Sequence, residues 1–216
     1  MMSDSQQFLS DSFLWIEGGA ALIALYYFKR LKEQHWRYFI YYLIIIFICE
    51  VIGKWGGQYI NFSKTKYYNY IIIPFQFIFF YWLYGAKSFN NKTLFWTITA
   101  LYIVSFIFSA LYFKERRIIF SFNYTFGCLI LMVLVVMEYY KQITSSDIIN
   151  FNKNRMFYIN LGVTLFYIGT LPFLTFYSLL RVYTQIWNIY FDYFLISNIV
   201  MYVLFSISFI WGKQNS

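Results

Sequence analysis

Residues 38–57 read YFIYYLIIIFICEVIGKWGG. No charge interrupts the run before Glu50, and its length matches the roughly 20 residues an α-helix needs to cross a bilayer. Apolar side chains occupy every face of the helix it would form, as expected where the solvent is lipid rather than water. Working outward, six comparable segments appear at about 12–28, 67–84, 94–113, 118–138, 156–177 and 186–211. Polar or basic breaks part them: KRLKEQHWR (29–37), 58–66, 85–93, KERR (114–117), 141–155 and 178–185. The chain therefore reads as an all-α, polytopic transmembrane helix bundle of about seven spans, a single domain over residues 1–216. The KERR turn is short enough to make helices four and five antiparallel neighbours.

Composition agrees. The 216 residues are 61% hydrophobic and 12% charged, with a mean hydropathy of +0.54. Soluble domains carry about twice that charge, so too few polar groups exist to cover a water-facing surface. The aromatic fraction, 26%, fits an interfacial belt or a ligand pocket. Because Ile, Asn, Lys, Tyr and Phe are abundant together, as an AT-rich gene produces, individual aromatics are read first as composition. The net charge of +8 suits anionic headgroups. It does not indicate nucleic acid, since the basic residues sit in short loops. Cys49 and Cys128 lie in apolar runs and are expected to be small buried hydrophobes. The acidic, polar residues 1–11 lack the basic start of a cleaved signal peptide, so the first helix is expected to be retained.

The basic residues set an orientation. Loops on the C-terminal side carry ten: Lys29, Arg30, Lys32, Arg37, Lys87, Lys92, Lys141, Lys153, Arg155 and Lys213. The other side carries seven: Lys54, Lys64, Lys66, Lys114, Arg116, Arg117 and Arg181. The expected arrangement is N-terminus outside and C-terminus cytoplasmic, in the inner (cytoplasmic) membrane of a bacterium.

Ionisable residues within a span cost about 2.5–3.5 kcal/mol at mid-membrane, so each asks for a reason. Glu17, Glu50, Lys54 and Asp192 are the four; Glu138, at the end of helix five, is expected to be interfacial. Glu50 and Lys54 are four apart on one helix face, either a self-neutralising pair or a ligand or proton site. Asn188 and Asp192 share the same spacing. With the assumed orientation, Glu17, Glu50, Lys54, Asn123, Asn188 and Asp192 all fall in the outer half, along with Thr170 and the kink-prone Pro172. Asn160, and Gln76 near the middle, fall elsewhere. A polar, outward-opening interior is expected from that asymmetry. Gly18, Gly19, Ala20, Ala21 and Ala24, and Gly162 and Gly169, mark close helix contacts. Pro74 is expected to kink helix three.

Catalytic signatures are missing. The single histidine, His35, lies in the first loop, and neither HExxH nor GxSxG occurs. No lysine stands in 186–211 for a retinal Schiff base. No metal or other cofactor is implied, and an enzyme ranks below a receptor or interaction protein. No internal repeat is visible, which counts against an inverted-repeat transporter.

The layout, with YYNYIIIPFQFIFFYWLY (67–84) and MFYINLGVTLFYIGTLPF (156–173), resembles the seven-helix sensor segments of some bacterial membrane histidine kinases. It is also similar to small stand-alone seven-helix bacterial membrane proteins. The resemblance implies a receptor-like protein that binds a small or lipidic ligand. The sequence stops at Ser216, five residues past the last segment, so no kinase of its own is expected. Membrane lipids and a second membrane or cytoplasmic protein, such as a signalling kinase, are the expected partners. The alternatives are a small transporter or channel with Glu50 and Asp192 as coupling carboxylates, or a lipid-directed enzyme using the same two.

Overall fold

The computed structural model describes residues 3–31, 34–56, 63–112, 121–144 and 152–212. Among the described residues the chain is all-α, with seven long helical rods and no strand. They are α1 (Asp4–Tyr26), α2 (Trp36–Trp55), α3 (64–88), α4 (Lys92–Tyr112), α5 (Ser121–Thr144), α6 (Arg155–Thr175) and α7 (Thr184–Ile210). Single turns at Phe28–Leu31 and Tyr177–Leu180 follow α1 and α6. Five rods, α1, α2, α5, α6 and α7, are long and apolar enough to cross a membrane. The outward faces of α1, α2, α5 and α7 carry Leu22, Ile45, Val133, Val136, Ile189 and Ile196, all exposed. Such side chains belong against lipid in a multi-pass membrane protein.

The first helix begins eight residues earlier than hydropathy marks it. Ser3 and Gln6 form a reciprocal capping box, each side chain bonding the other's backbone N–H, and this starts the helix in polar sequence. Two rods are wound unevenly. In α3, π-helical turns span Tyr68–Ile72 and Trp82–Ser88, and Pro74 follows the first of them. In α6 the π turn is Thr164–Ile168, with Pro172 four residues on. A proline has no N–H for the carbonyl four residues back and its ring crowds that carbonyl. The widened turns just before each proline absorb the misfit, and the Thr170 hydroxyl bonds the Phe166 carbonyl at 2.5 Å.

Packing places α3 in the middle. The buried Phe77 ring meets Tyr102 of α4, Tyr124 of α5 and Tyr167 of α6 at 5.4, 5.5 and 5.6 Å. Phe80 meets Tyr42 of α2 and Phe205 of α7 at 5.5 and 6.3 Å. Helix α1 packs outside this core between α2 and α7, through Ala20, Ala21 and Ala24. The small stripe read from the sequence thus packs, except Gly19, which faces open space. Helices α4 and α5 lie antiparallel, Ser105 beside Asn123 and Tyr102 beside Gly127. The KERR turn itself lies outside the described residues, as do Lys32 and Lys213.

Gly127 is the tightest point of the aromatic core. A methyl group there would stand 2.8 Å from the Phe77 ring and 2.9 Å from Tyr102. Gly127→Ala is therefore expected to destabilise by about 1–3 kcal/mol through overpacking. Gly19→Ala should be neutral or slightly stabilising, since Ala is the better helix former. Thermal unfolding of both variants in one detergent checks the pair.

Candidate functional site

Three polar rungs climb the α1 helix. At its start, Gln6, 2% exposed, donates from Nε2 to Asp192 Oδ1 of α7 at 2.8 Å. Five residues on, Asp11 accepts from Lys54 of α2 at 3.3 Å, an exposed ion pair. Such a pair contributes little to stability. The third rung is different. Glu17 is 5% exposed and faces the carboxyl group of Glu50, with no basic group paired to either among the described residues.

Tyrosines supply the surroundings of that pair. Tyr68, on the first π turn of α3, donates to Glu50 Oε2 at 2.6 Å. The Tyr202 hydroxyl of α7 lies against Glu17. Tyr42, one helical stretch below Glu50 on α2, is buried beside both carboxyls, and its hydroxyl faces that of Tyr167 on the π turn of α6. Neither of these two hydroxyls completes a hydrogen bond. Two carboxyls and four phenols from α1, α2, α3, α6 and α7 thus converge inside the bundle. Gly53 makes room for the arrangement, since a Cβ there would stand 2.5 Å from the Tyr68 hydroxyl.

Chemically, a like-charged pair in a low-dielectric interior is costly while both groups are ionised. A bound proton or a cation relieves the repulsion, and phenol hydroxyls can donate to whichever oxygen keeps its charge. Among the described residues no three His, Cys, Asp or Glu side chains gather as a metal site.

The six residues singled out from sequence share one end of the bundle but do not form one site. Glu17 and Glu50 meet. Lys54 turns to Asp11 rather than to Glu50, because α1 extends far enough back to place a carboxylate at its level. Asp192 is taken by Gln6, about 16 Å along α1 from Glu17 at 1.5 Å per residue. Asn123 lies across the bundle, accepting from Ser105 at 3.3 Å. Asn188 is half-buried on α7. Glu138, expected to be interfacial, is 2% exposed and is held by Ser88 and by Gln142 at 3.0 Å. Sequence reasoning missed the tyrosines and Gln6. For Gln6 a signal existed, the S-x-x-Q capping pattern; for the tyrosines, abundance hid them.

No protein-family model, curated protein or solved structure matches the chain.

If Gly53 serves the Tyr68–Glu50 bond, the two are energetically coupled. Tyr68→Phe is expected to cost about 1–3 kcal/mol, the value of a buried bond to a carboxyl group. Gly53→Ala should cost a similar amount by displacing the phenol. The double variant should lose clearly less than the sum; strict additivity in thermal unfolding would show that the glycine acts elsewhere.

Proposed function

We propose that this is a receptor-like protein of the bacterial inner membrane that crosses the bilayer seven times, N-terminus outside and C-terminus cytoplasmic. Its interior carboxyl–phenol cluster binds one positive charge, a proton in the simplest case. The change in charge alters helix packing and passes to a second membrane or cytoplasmic protein. The observation that carries this reading is the Glu17–Glu50 pair, Glu17 buried and Glu50 half-buried, without a basic partner among the described residues where five helices meet. Burial of an unneutralised pair costs stability, so its retention at a convergence of helices makes packing responsive to what neutralises it. The π turns that carry Tyr68 and Tyr167 support the same reading, because such turns concentrate at functional positions.

A proton-coupled transporter is the second reading, favoured by the same pair. The versions that use Glu50 together with Asp192 are not carried forward, because Asp192 is bound to Gln6 at a different level of the bundle.

The test uses spin labels at Leu22 of α1 and Val203 of α7, both exposed. In reconstituted vesicles the inter-label distance should change between pH 5 and pH 9 in the wild type. It should hold constant in the Glu17→Gln, Glu50→Gln double variant, whose pair carries no ionisable proton. A distance independent of pH in the wild type would sink the proposal. A pH-driven flux in the same vesicles, lost in the double variant, would select the transporter.

A further inference from the structure

At the opposite end of the bundle from the carboxyl pair stands a buried cation with no acid paired to it among the described residues. Arg155, the first residue of α6, is 4% exposed. Its Nε donates to the Ser208 carbonyl at 3.0 Å and its Nη2 to the Gly212 carbonyl at 2.8 Å, capping the end of α7. Its guanidinium lies 5.0 Å from the Trp36 ring and 5.8 Å from that of Phe209. Nη1 has no hydrogen-bond partner, and neither has the neighbouring Trp36 indole N–H. Two orphaned donors side by side are costly in a protein interior, and a buried charge is ordinarily paired.

More positive charge gathers at the same spot. Arg30 lies close enough to act on Arg155, and both Lys87 and Arg155 act on His35. Burial together with these two cations lowers the pKa of His35 below its ordinary 6.5. Glu138 occupies the same end, but its oxygens are taken by Ser88 and Gln142.

Lys87 belongs to a second feature as well. Between α2 and α3 runs a membrane-facing groove of about 540 Å³. Tyr38, Tyr41 and Ile45 form one wall, Phe75, Phe79 and Trp82 the other, and Lys87 stands at its mouth, 5.4 Å over the Trp82 ring. Tyr38, Tyr41 and Ile45 are each about two-fifths exposed and so open towards lipid. A groove of this size is within the range of small-molecule sites.

We propose that this end of the bundle binds one anionic phospholipid, its phosphate at the Arg30–His35–Lys87 mouth in the field of Arg155 and one acyl chain in the α2–α3 groove. Charge complementarity selects the headgroup, since Arg30, Lys87 and Arg155 gather here while Glu138, the one carboxyl at this end among the described residues, has its oxygens taken by Ser88 and Gln142. The apolar walls select a chain-bearing molecule over a free anion. The inference rests on the chain lying in a bilayer, and does not depend on what the carboxyl pair senses.

The test is native mass spectrometry of delipidated protein with added phosphatidylglycerol or phosphatidylcholine of identical chains. Phosphatidylglycerol should be retained about tenfold more tightly, the size expected for one or two cations acting on the net negative charge that choline cancels in phosphatidylcholine. Lys87→Glu, an exposed change, should abolish the preference without altering the unfolding temperature. Ile45→Trp, which fills the groove, should reduce retention of phosphatidylglycerol. Equal retention of the two lipids by the wild type, or an undiminished preference in Lys87→Glu, would overturn the proposal. So would inorganic phosphate alone raising the unfolding temperature as much as phosphatidylglycerol does, because the chain would then contribute nothing.

Discussion

Hydrocarbon does not solvate charge, and the organisation of this protein follows from that. Each ionisable or strongly polar group on a rod must be met by another rod, by its own backbone, or by water at an end. Asp192 is met by Gln6, Lys54 by Asp11, and Asn160 by Tyr84 at 2.8 Å. These contacts are resolved in pairs, and each ties two elements distant in sequence. Glu17 and Glu50 are the exception. Among the described residues their partners are phenols rather than a cation. Arg155 is the mirror case, a cation held by carbonyls and ring faces. The first is a carboxyl pair without a paired cation among the described residues, the second a cation without a paired carboxyl.

The positions of the rods were largely legible in the sequence. Apolar runs and polar breaks locate the helices, and the gathering of Glu17, Glu50, Lys54, Asn123, Asn188 and Asp192 towards one end follows from their distance to those breaks. Partner choice was not legible. Spacing along one helix shows that Glu50 and Lys54 share a face, but only the stagger between helices decides that Lys54 stands level with Asp11 and Glu50 with Glu17. That stagger depends on where α1 begins, and hydropathy is blind to a start made of Ser, Asp and Gln. The four tyrosines were hidden for another reason. In a chain with 23 tyrosines, composition cannot single out those that face a carboxyl group.

The prolines are an intermediate case. Pro74 and Pro172 announce a break in regular winding, but not its form. In both rods the turn before the proline is widened to π winding, which shifts the angular positions of side chains around the helix. Tyr68 and Tyr167 both stand on such turns, Tyr68 bonding Glu50 and Tyr167 facing Tyr42.

Helix α3 joins the two ends of the molecule physically. Its first π turn holds the hydroxyl that bonds Glu50, and its second holds Lys87 at the basic mouth. Between them, Phe77 and Phe80 are wedged among rings from five other helices. Each such ring contact is worth about 0.5–1.5 kcal/mol beyond its buried area, so rolling the middle of α3 would break several at once. The π turns are the softer places, because their hydrogen bonds are already displaced from the regular ladder. A change at the carboxyl pair would therefore be taken up first as rewinding near Tyr68, with the aromatic centre as a fixed bearing. What reaches the far end is then a small rotation or translation of a stiff rod, and Lys87 with its groove lies where that motion would be felt.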